Sequence, residues 1–219
     1  MPVNTADSEI ETIHDPAPER LLLQQYGVFG LARLGWEILL TKIVTPRARL
    51  MRRPYTVLGA RHIDFGKQLT TGRRLRMEAM PRKNHPTGVV IRLGHGVKIN
   101  DDVHIGAVNS ITIGDGVLIG SKVLIVDHNH GVYSGAQPHS SPLIAPDERP
   151  IVSKPVVIGK NVWIGEMVAI LPGAEIGEGC VIGAMSMVSG VIPPYTIAVG
   201  SPARVVKRFN VESGSWEKV

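Results

Sequence analysis

An aliphatic residue recurs at every sixth position through the C-terminal half of this chain. From residue 158 these positions hold Ile158, Ile164, Ile170, Ile176, Ile182 and Val188. Four residues after each lies a second apolar or small residue: Val162, Val168, Ala174, Cys180, Ser186 and Ile192. A period of six matches neither an α-helix nor a simple strand. It predicts a triangular coil with one short strand on each face.

The same frame appears earlier in the chain. It runs through Leu93, Ile99 and Ile105, then, after two extra residues, through Ile113, Ile119 and Ile125; a fainter copy holds Phe65, Thr71 and Met77. Successive coils would stack at the ordinary strand spacing of about 4.8 Å. We attribute the glycine after many of the aliphatic residues to the backbone angles of the corners. In this frame Cys180 is a small buried filler, not a nucleophile.

Composition agrees with a fold made of tight turns, because the chain has 24 Gly and 16 Pro in 219 residues and only 5% aromatics. The single cysteine and the absence of a signal-peptide pattern predict a cytoplasmic protein. The leucine-rich segment 21–44 is interrupted by polar and charged residues, so it lacks the roughly 18 uninterrupted apolar residues of a membrane-spanning helix. A net charge of +5 attracts anionic partners. With no nucleic-acid-binding motif present, we expect a phosphorylated small molecule.

Three stretches interrupt the repeat. Residues 1–55 comprise a polar start, which we expect to be disordered, and one or two helices over 19–44, broken near Gly27–Gly30. The helical segment either covers the open first coil or lies on a membrane surface, helped by nearby basic residues: Lys42, Arg47, Arg49, Arg52 and Arg53. The β-helix itself is predicted over 56–208, with a short C-terminal helix packing back on the last coil and a tail over 209–219.

The third interruption is an inserted loop at 127–155, and loops of this length in compact domains are usually functional. His128 and His130 stand where a strand ends and the loop begins. On chemistry alone, either imidazole suits a general base. Asp127 is a candidate to orient one of them, although adjacent residues of a strand point to opposite sides. The other coil histidines, including His104, are interpreted as surface residues.

The repeat, the Asp127-His128 pair before the loop and the N-V-W-I-G run at 161–165 resemble the hexapeptide-repeat acyltransferases, in particular the galactoside, maltose and xenobiotic acetyltransferase branch. The resemblance is close over 93–208. It implies an all-β, left-handed parallel β-helix, acetyl-CoA as the donor, and a homotrimer with its clefts between neighbouring prisms. The runs 99–105 and 127–131 resemble most the O-acetyltransferases of bacterial surface polysaccharides, which implies a sugar hydroxyl as acceptor.

The resemblance also assigns candidate residues. It implies that His128 is the general base, that Trp163 lines the cleft and that Asn100 contacts the acceptor. Alternatives stay open: Trp163 as packing between prisms, Asn100 as an inward ladder, and His130 as an acceptor contact or a turn residue. For acetyl-CoA the matching positions are Gly165, Ala184, Ser189, Arg204 and Lys207. The chain departs from the family at Ser189-Gly190, where relatives commonly carry threonine and lysine.

Other functions fit the same repeat. A zinc carbonic anhydrase of this fold needs two histidines five residues apart, and no pair here has that spacing, so no metal is expected. A non-enzymatic scaffold would not need a histidine at a cleft. An antibiotic O-acetyltransferase or an amino-sugar N-acetyltransferase differs only in acceptor, which the sequence does not fix.

Overall fold

The computed structural model describes residues 18–81 and 88–219, with side chains from residue 23 onward. The described residues form one α-helix, α1 (Pro18–Val44), whose course is kinked at Gly27, a residue with φ 60° and ψ 178°. The predicted break near Gly27–Gly30 is therefore confirmed. Of the start predicted to be disordered, residues 1–20, only 18–20 are described, and they begin α1. His14, in that start, and His85, one of the histidines interpreted as surface residues, lie outside the described residues. The chain divides into two compact units, Met1–Trp36 and Glu37–Val219.

Six successive coils follow the helix, each with three short strands. The first three coils consist of β1 (Leu50–Met51), β2 (Tyr55–Leu58), β3 (Ile63–Asp64); β4 (Thr70–Thr71), β5 (Leu75–Ala79), β6 (Ile91–Leu93); and β7 (Lys98–Ile99), β8 (His104–Ala107), β9 (Ile111–Ile113). The fourth coil contains β10 (Leu118–Ile119), β11 (Leu124–Val126), the inserted β12 (His128–His130) and β13 (Ile151–Ser153), and β14 (Val156–Ile158). The last two contain β15 (Trp163–Ile164), β16 (Ala169–Ile170), β17 (Glu175–Ile176), β18 (Val181–Ile182), β19 (Met187–Val188) and β20 (Val191–Ile192).

Equivalent strands of successive coils pair in parallel and form three faces. Face A stacks β1, β4, β7, β10, β15 and β18; face B stacks β2, β5, β8, β11, β16 and β19; face C stacks β3, β6, β9, β14, β17 and β20. The predicted inward positions from Val162 to Ile192 are all buried, so the six-residue frame is confirmed. Cys180 is fully buried, as a filler residue would be. The first coil begins at Leu50, within the N-terminal segment 1–55; the division at residue 55 stays a prediction.

The glycines after the aliphatic positions serve a different purpose from the predicted one. Gly159 and Gly165 do not have positive φ. A Cβ on Gly159 would instead lie 2.6 Å from the backbone nitrogen of Glu178, and one on Gly165 would lie 2.7 Å from that of Ala184. Neighbouring coils therefore touch backbone to backbone at these corners, and any side chain would separate them. The left-handed residue of the corner comes two positions later, for example at Asn161 and Met167.

The predicted short C-terminal helix is wrong. After the sixth coil the chain forms β21 (Thr196–Val199), β22 (Arg204–Asn210) and β23 (Ser215–Lys218). β21 continues face A in parallel, and β22 and β23 add to it as antiparallel strands. The edge of β21 offers unpaired backbone groups, which a strand satisfies and a helix does not.

The last part of α1 packs on the first coils. Thr41 Oγ1 donates to the carbonyl of Glu37 at 2.7 Å and accepts the backbone N–H of Met51 at 3.0 Å. Lys42 Nζ donates to the carbonyl of Ala48 at 2.7 Å. The Glu37–Val44 portion thus covers an end of the prism, as one of the two interpretations expects. The membrane-surface alternative stays a prediction. No helix among the described residues is long and apolar enough to cross a bilayer.

The insertion begins and ends as an antiparallel ribbon, so it is less irregular than predicted. β12 pairs with β13, with His128 opposite Ser153 and His130 opposite Ile151. A 3-10 turn at Pro146–Glu148 lies within the loop. Arg149 fastens the loop internally, donating from Nη1 to the Tyr133 hydroxyl at 2.8 Å and from Nε to the carbonyl of Ile144 at 2.9 Å. The ribbon leaves the prism at the corner between faces B and C.

Candidate active site

The ribbon begins with an aspartate and a histidine in direct contact. Asp127 is fully buried, and one of its carboxylate oxygens, Oδ1, lies 3.0 Å from Nδ1 of His128. The carboxylate also accepts the backbone N–H groups of Asn109 and Ser110 at 2.7 Å and of Val108 at 3.0 Å. Asp127 lies in a bend between β11 and β12, so strand alternation does not turn the two side chains apart. The sequence rule that argued against this contact fails here because neither strand includes residue 127.

The charge of Asp127 determines the protonation of the imidazole. Burial raises the pKa of the Asp127 carboxyl, but the hydrogen bonds from His128 and the three backbone N–H groups outweigh it and hold this pKa below its usual value. An ionised carboxylate only accepts, so Nδ1 of His128 carries the hydrogen. The lone pair of a neutral ring is then on Nε2, for which the described residues provide no hydrogen-bond partner. The side chain is 17% exposed, so the ring is partly open to the surface.

A second titratable pair lies beside His128 on the outer surface of face B. Nε2 of His104 is 3.0 Å from Oε2 of Glu78, and Nη2 of Arg76 donates to Oε1 of Glu78 at 2.8 Å. A Cβ on Gly106 would lie 3.5 Å from Nε2 of His104 and 3.7 Å from Cε1 of His128. Both imidazoles therefore border the same space above Gly106. His104 is not the plain surface residue that we predicted from the sequence.

This pair was recognisable in principle from the repeat frame. Met77, Ile105 and Ile125 occupy equivalent inward positions on face B, so Arg76 aligns with His104 and Glu78 with Gly106. From Ile105 to Ile125 the frame contains only two extra residues. From Met77 to Ile105 the frame is lengthened much more, by the segment after β5, and this longer interruption hides the alignment.

Trp163 and Asn100 lie apart from His128 within one chain. Trp163 is 54% exposed on the outer surface of face A, whereas His128 lies beside face B. Asn100 follows β7 at the corner between faces A and B and is exposed, so the inward asparagine ladder is wrong. A single prism thus leaves Trp163 on a different face from the imidazole.

His130 is held by its own loop. Its Nδ1 lies 3.1 Å from the carbonyl of Pro146, and its own carbonyl accepts the Tyr133 hydroxyl at 2.5 Å. These contacts match the turn role, one of the two interpretations that we kept open. On the strand His130 shares the side of His128, two positions away.

The predicted cofactor residues lie on the later coils. Gly165 and Ala184 stack at the corner between faces A and B, and Ser189 lies at the opposite end of face B. A β-bulge in the pairing of β21 and β22 sets Arg204 opposite Val199 and Lys207 opposite Ile197. Directly opposed residues share a side of the sheet, so the bulge puts both cations on the outer surface of face A. One outward row there runs Lys98, Leu118, Trp163, Val181, Ile197 and Lys207.

This surface combines apolar side chains with basic ones. An apolar strip that contains Trp163 and ends in Lys207, with Arg204 alongside, offers contacts for an alkyl arm and for phosphates. Within 18–81 and 88–219 no three His, Cys, Asp or Glu side chains converge as metal ligands would.

Comparison with known proteins identifies the family. The pattern described as "Bacterial transferase hexapeptide (six repeats)" matches residues 155–190. The chain is 44% identical over 197 residues, 90% of its length and 97% of the relative's, to the putative lipopolysaccharide biosynthesis O-acetyl transferase WbbJ of Escherichia coli K12. This chain is a hexapeptide-repeat acetyltransferase. The acetyltransferase activity predicted from the sequence is thereby confirmed.

Solved structures of the family agree on the fold. A maltose O-acetyltransferase from Clostridium difficile 630 superposes with a TM-score of 0.55 at 34% identity, over 69% of this chain and 72% of the other. A hexapeptide-repeat acetyltransferase from Vibrio cholerae, VCA0836, superposes with a TM-score of 0.53 at 25% identity, over 90% and 96%. The left-handed parallel β-helix predicted for this acetyltransferase is confirmed.

Proposed function

We propose that this acetyltransferase moves the acetyl group of acetyl-CoA to a sugar hydroxyl of a bacterial surface polysaccharide or its precursor, with His128 as general base. The observation that carries the proposal is the hydrogen bond between His128 and the buried Asp127 carboxylate. The sugar acceptor is supported by the name of WbbJ, a relative that matches nearly end to end.

The site residues would act in a simple order. Acetyl-CoA supplies an acetyl group already activated as a thioester. Asp127 fixes the tautomer and orientation of His128, so that Nε2 faces the acceptor as a base. Nε2 takes the hydroxyl proton as the oxygen bonds to the acetyl carbon, and returns a proton to the sulfur as the carbon–sulfur bond breaks. The protonated ring formed in between is stabilised by the carboxylate at 3.0 Å.

Analysis of the surface polysaccharide by mass spectrometry, in cells with and without this gene, tests the acceptor. We expect one acetyl group fewer per repeating unit when the gene is deleted, restored by the intact gene. An unchanged polysaccharide, together with transfer by purified protein to an antibiotic or an amino sugar, would instead support one of the alternative acceptors.

The proposal includes a cytoplasmic location, where precursors of the surface polysaccharide are made. The helix α1 is the candidate for contact with the membrane.

Arg204 and Lys207 are proposed to bind the phosphates of acetyl-CoA, with Gly165, Ala184 and Ser189 beside the rest of the molecule. The double substitution Arg204→Ala with Lys207→Ala should raise KM for acetyl-CoA about tenfold, the value of one charge-assisted hydrogen bond. KM for the acceptor should not change. Affinity for CoA should fall more than affinity for dephospho-CoA, because arginine pairs well with a phosphate.

Arg208→Ala is the matched control for this double variant. Arg208 lies opposite the buried Thr196 and so on the other side of β22. It should leave KM for acetyl-CoA within about twofold. If Arg208→Ala raised KM for acetyl-CoA as much as the double variant does, only the overall charge would matter. The proposed phosphate site on the outer surface of face A would then be wrong.

The proposed assembly is a homotrimer that brings Trp163 of one prism to the imidazole of the next. Exposed Leu118 and Trp163 are neighbours in the outward row of face A. We expect sedimentation equilibrium to give a trimer, and Trp163→Glu to give an inactive monomer. Val191→Glu, on an exposed residue of face C, should remain trimeric. A monomer with full activity would contradict the assembly.

A further inference from the structure

A small polar cluster stands next to His128 on the outer surface of face B. It consists of Arg76, Glu78 and His104, linked through the Glu78 carboxylate at 2.8 and 3.0 Å. The Glu78 side chain is only 10% exposed although it points away from the prism core. Burying a carboxylate is unfavourable even when it is paired. Stability alone therefore does not explain why the cluster is present on this surface.

The outer surface of face B changes character at the coil that holds His128. One outward row runs Thr56, Arg76, His104, Leu124, Ala169 and Met187, and a second runs Leu58, Glu78, Gly106 and Val126. The charged members belong to the second and third coils. From the fourth coil onward these rows are apolar. His128 thus lies at the border between a polar half and an apolar half of the same face.

The polar half meets His128 at Gly106. Gly106 separates the two imidazoles, and a Cβ there would make only ordinary contacts of 3.5 to 3.7 Å with His104, Val126 and His128. A methyl group would therefore fit without strain from the protein. That methyl group would stand between the two rings, where a ligand that touches both would lie.

The charge state of the cluster suits hydroxyl groups. Burial raises the pKa of the Glu78 carboxyl, but hydrogen bonds from Arg76 and His104 outweigh it and keep that pKa below its usual value. Because the ionised carboxylate only accepts, Nε2 of His104 carries a hydrogen and Nδ1 is left to bind a ligand. No described protein group bonds that Nδ1. The pair can thus accept from one hydroxyl at the carboxylate and contact a second at the ring.

We propose that Glu78 and His104 bind the acceptor sugar and hold its reactive hydroxyl above Gly106, against Nε2 of His128. This inference rests on the proposed sugar O-acetyltransferase function and names the residues that select the acceptor. The polar early coils would hold the sugar, and the apolar later coils would remain for the donor. Arg76 acts through Glu78 and is a positioning residue.

The test compares the Michaelis constants of three variants, Glu78→Gln, His104→Ala and Gly106→Ala. The probe acceptor is the surface polysaccharide of the source organism, freed of its O-acetyl groups by mild base. Glu78→Gln and His104→Ala should each raise KM for this acceptor about 10- to 100-fold, as the loss of a hydrogen bond to a charged group does. Gly106→Ala should also raise it, because the added methyl group occupies the place of the ligand. KM for acetyl-CoA should stay within about twofold, because the later coils are untouched. Gly106→Ala carries particular weight, since it adds only a methyl group and removes no hydrogen bond.

Asp102→Asn is the matched control. Asp102 forms an ion pair with Arg74 that links the same two coils as the Glu78–His104 pair, but at the corner between faces A and B. It should change neither constant, even if stability falls slightly. Unchanged acceptor KM in the three variants, or an equal rise for donor and acceptor, would overturn the inference while wild-type transfer upholds the proposed function. If the wild-type protein acetylates no sugar at all, the proposed function fails and this inference with it.

Discussion

Replacing His128 with alanine should lower kcat about 10²- to 10⁴-fold while the protein still folds and binds acetyl-CoA. A positioned general base contributes a factor of this size, and water does not replace it at the same place. The three backbone N–H groups that hold Asp127 remain in the variant, so the corner of the prism keeps its structure. Release of free CoA thiol, followed in the presence of the acceptor, measures the loss.

Two further variants separate the base from its surroundings. His128→Asn keeps a side-chain N–H for Asp127 but provides no base, so it should be as slow as His128→Ala. His130→Ala removes the other imidazole on the same side of the ribbon, whose contacts are within its own loop, and should keep most turnover. If His130→Ala lost activity and His128→Ala kept it, the roles of the two histidines would be exchanged.

Asp127→Asn should lower kcat by about 10²-fold or more and also destabilise the fold. The asparagine amide has two hydrogens, and the carboxylate it replaces receives only donors. If the amide N–H₂ turns to His128, Nδ1 must accept, and the ring hydrogen moves to Nε2, where it blocks the base. If the amide N–H₂ turns to the backbone instead, it faces the N–H groups that the carboxylate accepted, and donor meets donor. The mismatch should cost about 1–3 kcal/mol in the free energy of unfolding.

The stability effect has a defined dependence on pH. The pKa of the Asp127 carboxyl lies below its usual value in the folded chain, and an unfolded aspartate titrates near pH 4. The carboxylate therefore stabilises the fold above about pH 4, and this contribution is lost as pH falls through the lower folded pKa. Urea unfolding should show that the wild type has the larger free energy of unfolding at pH 6, and that its advantage over Asp127→Asn shrinks toward pH 3.

Asp115→Asn is the control for the kinetic effect. It alters a corner aspartate bonded to the backbone N–H of His95 and should not reduce kcat.

The repeat predicted the prism because the same inward positions recur in every coil, so each adds evidence for the others. Ser186 could be predicted as buried beside Val168 and Ala174 for this reason alone. No repeat supports a prediction for the last residues of the chain. The basic run Arg204–Arg208 suits a helix or a strand equally, and its pairing with β21 is decided by an edge that exists only once the coils have stacked.

The site was predictable only in part. His128 stands out because the repeat stops there, but the contact with Asp127 depends on a bend that strand alternation does not describe. Glu78 and His104 are 26 residues apart, and they meet only because an insertion of irregular length returns the chain to the same face. The bulge that brings Arg204 and Lys207 to one side is likewise a property of the paired strands, not of the local sequence.

The central claim is that neutral His128 takes the proton from the acceptor hydroxyl. The pH dependence of kcat/KM for the acceptor, measured for wild type and for His128→Ala, tests it most directly. For wild type we predict an acidic limb in which the rate rises about tenfold per pH unit, because the base must lose its proton before it can act. In His128→Ala the small residual rate should lose that limb. An identical acidic limb in the variant would contradict the account, since another group would then be the base.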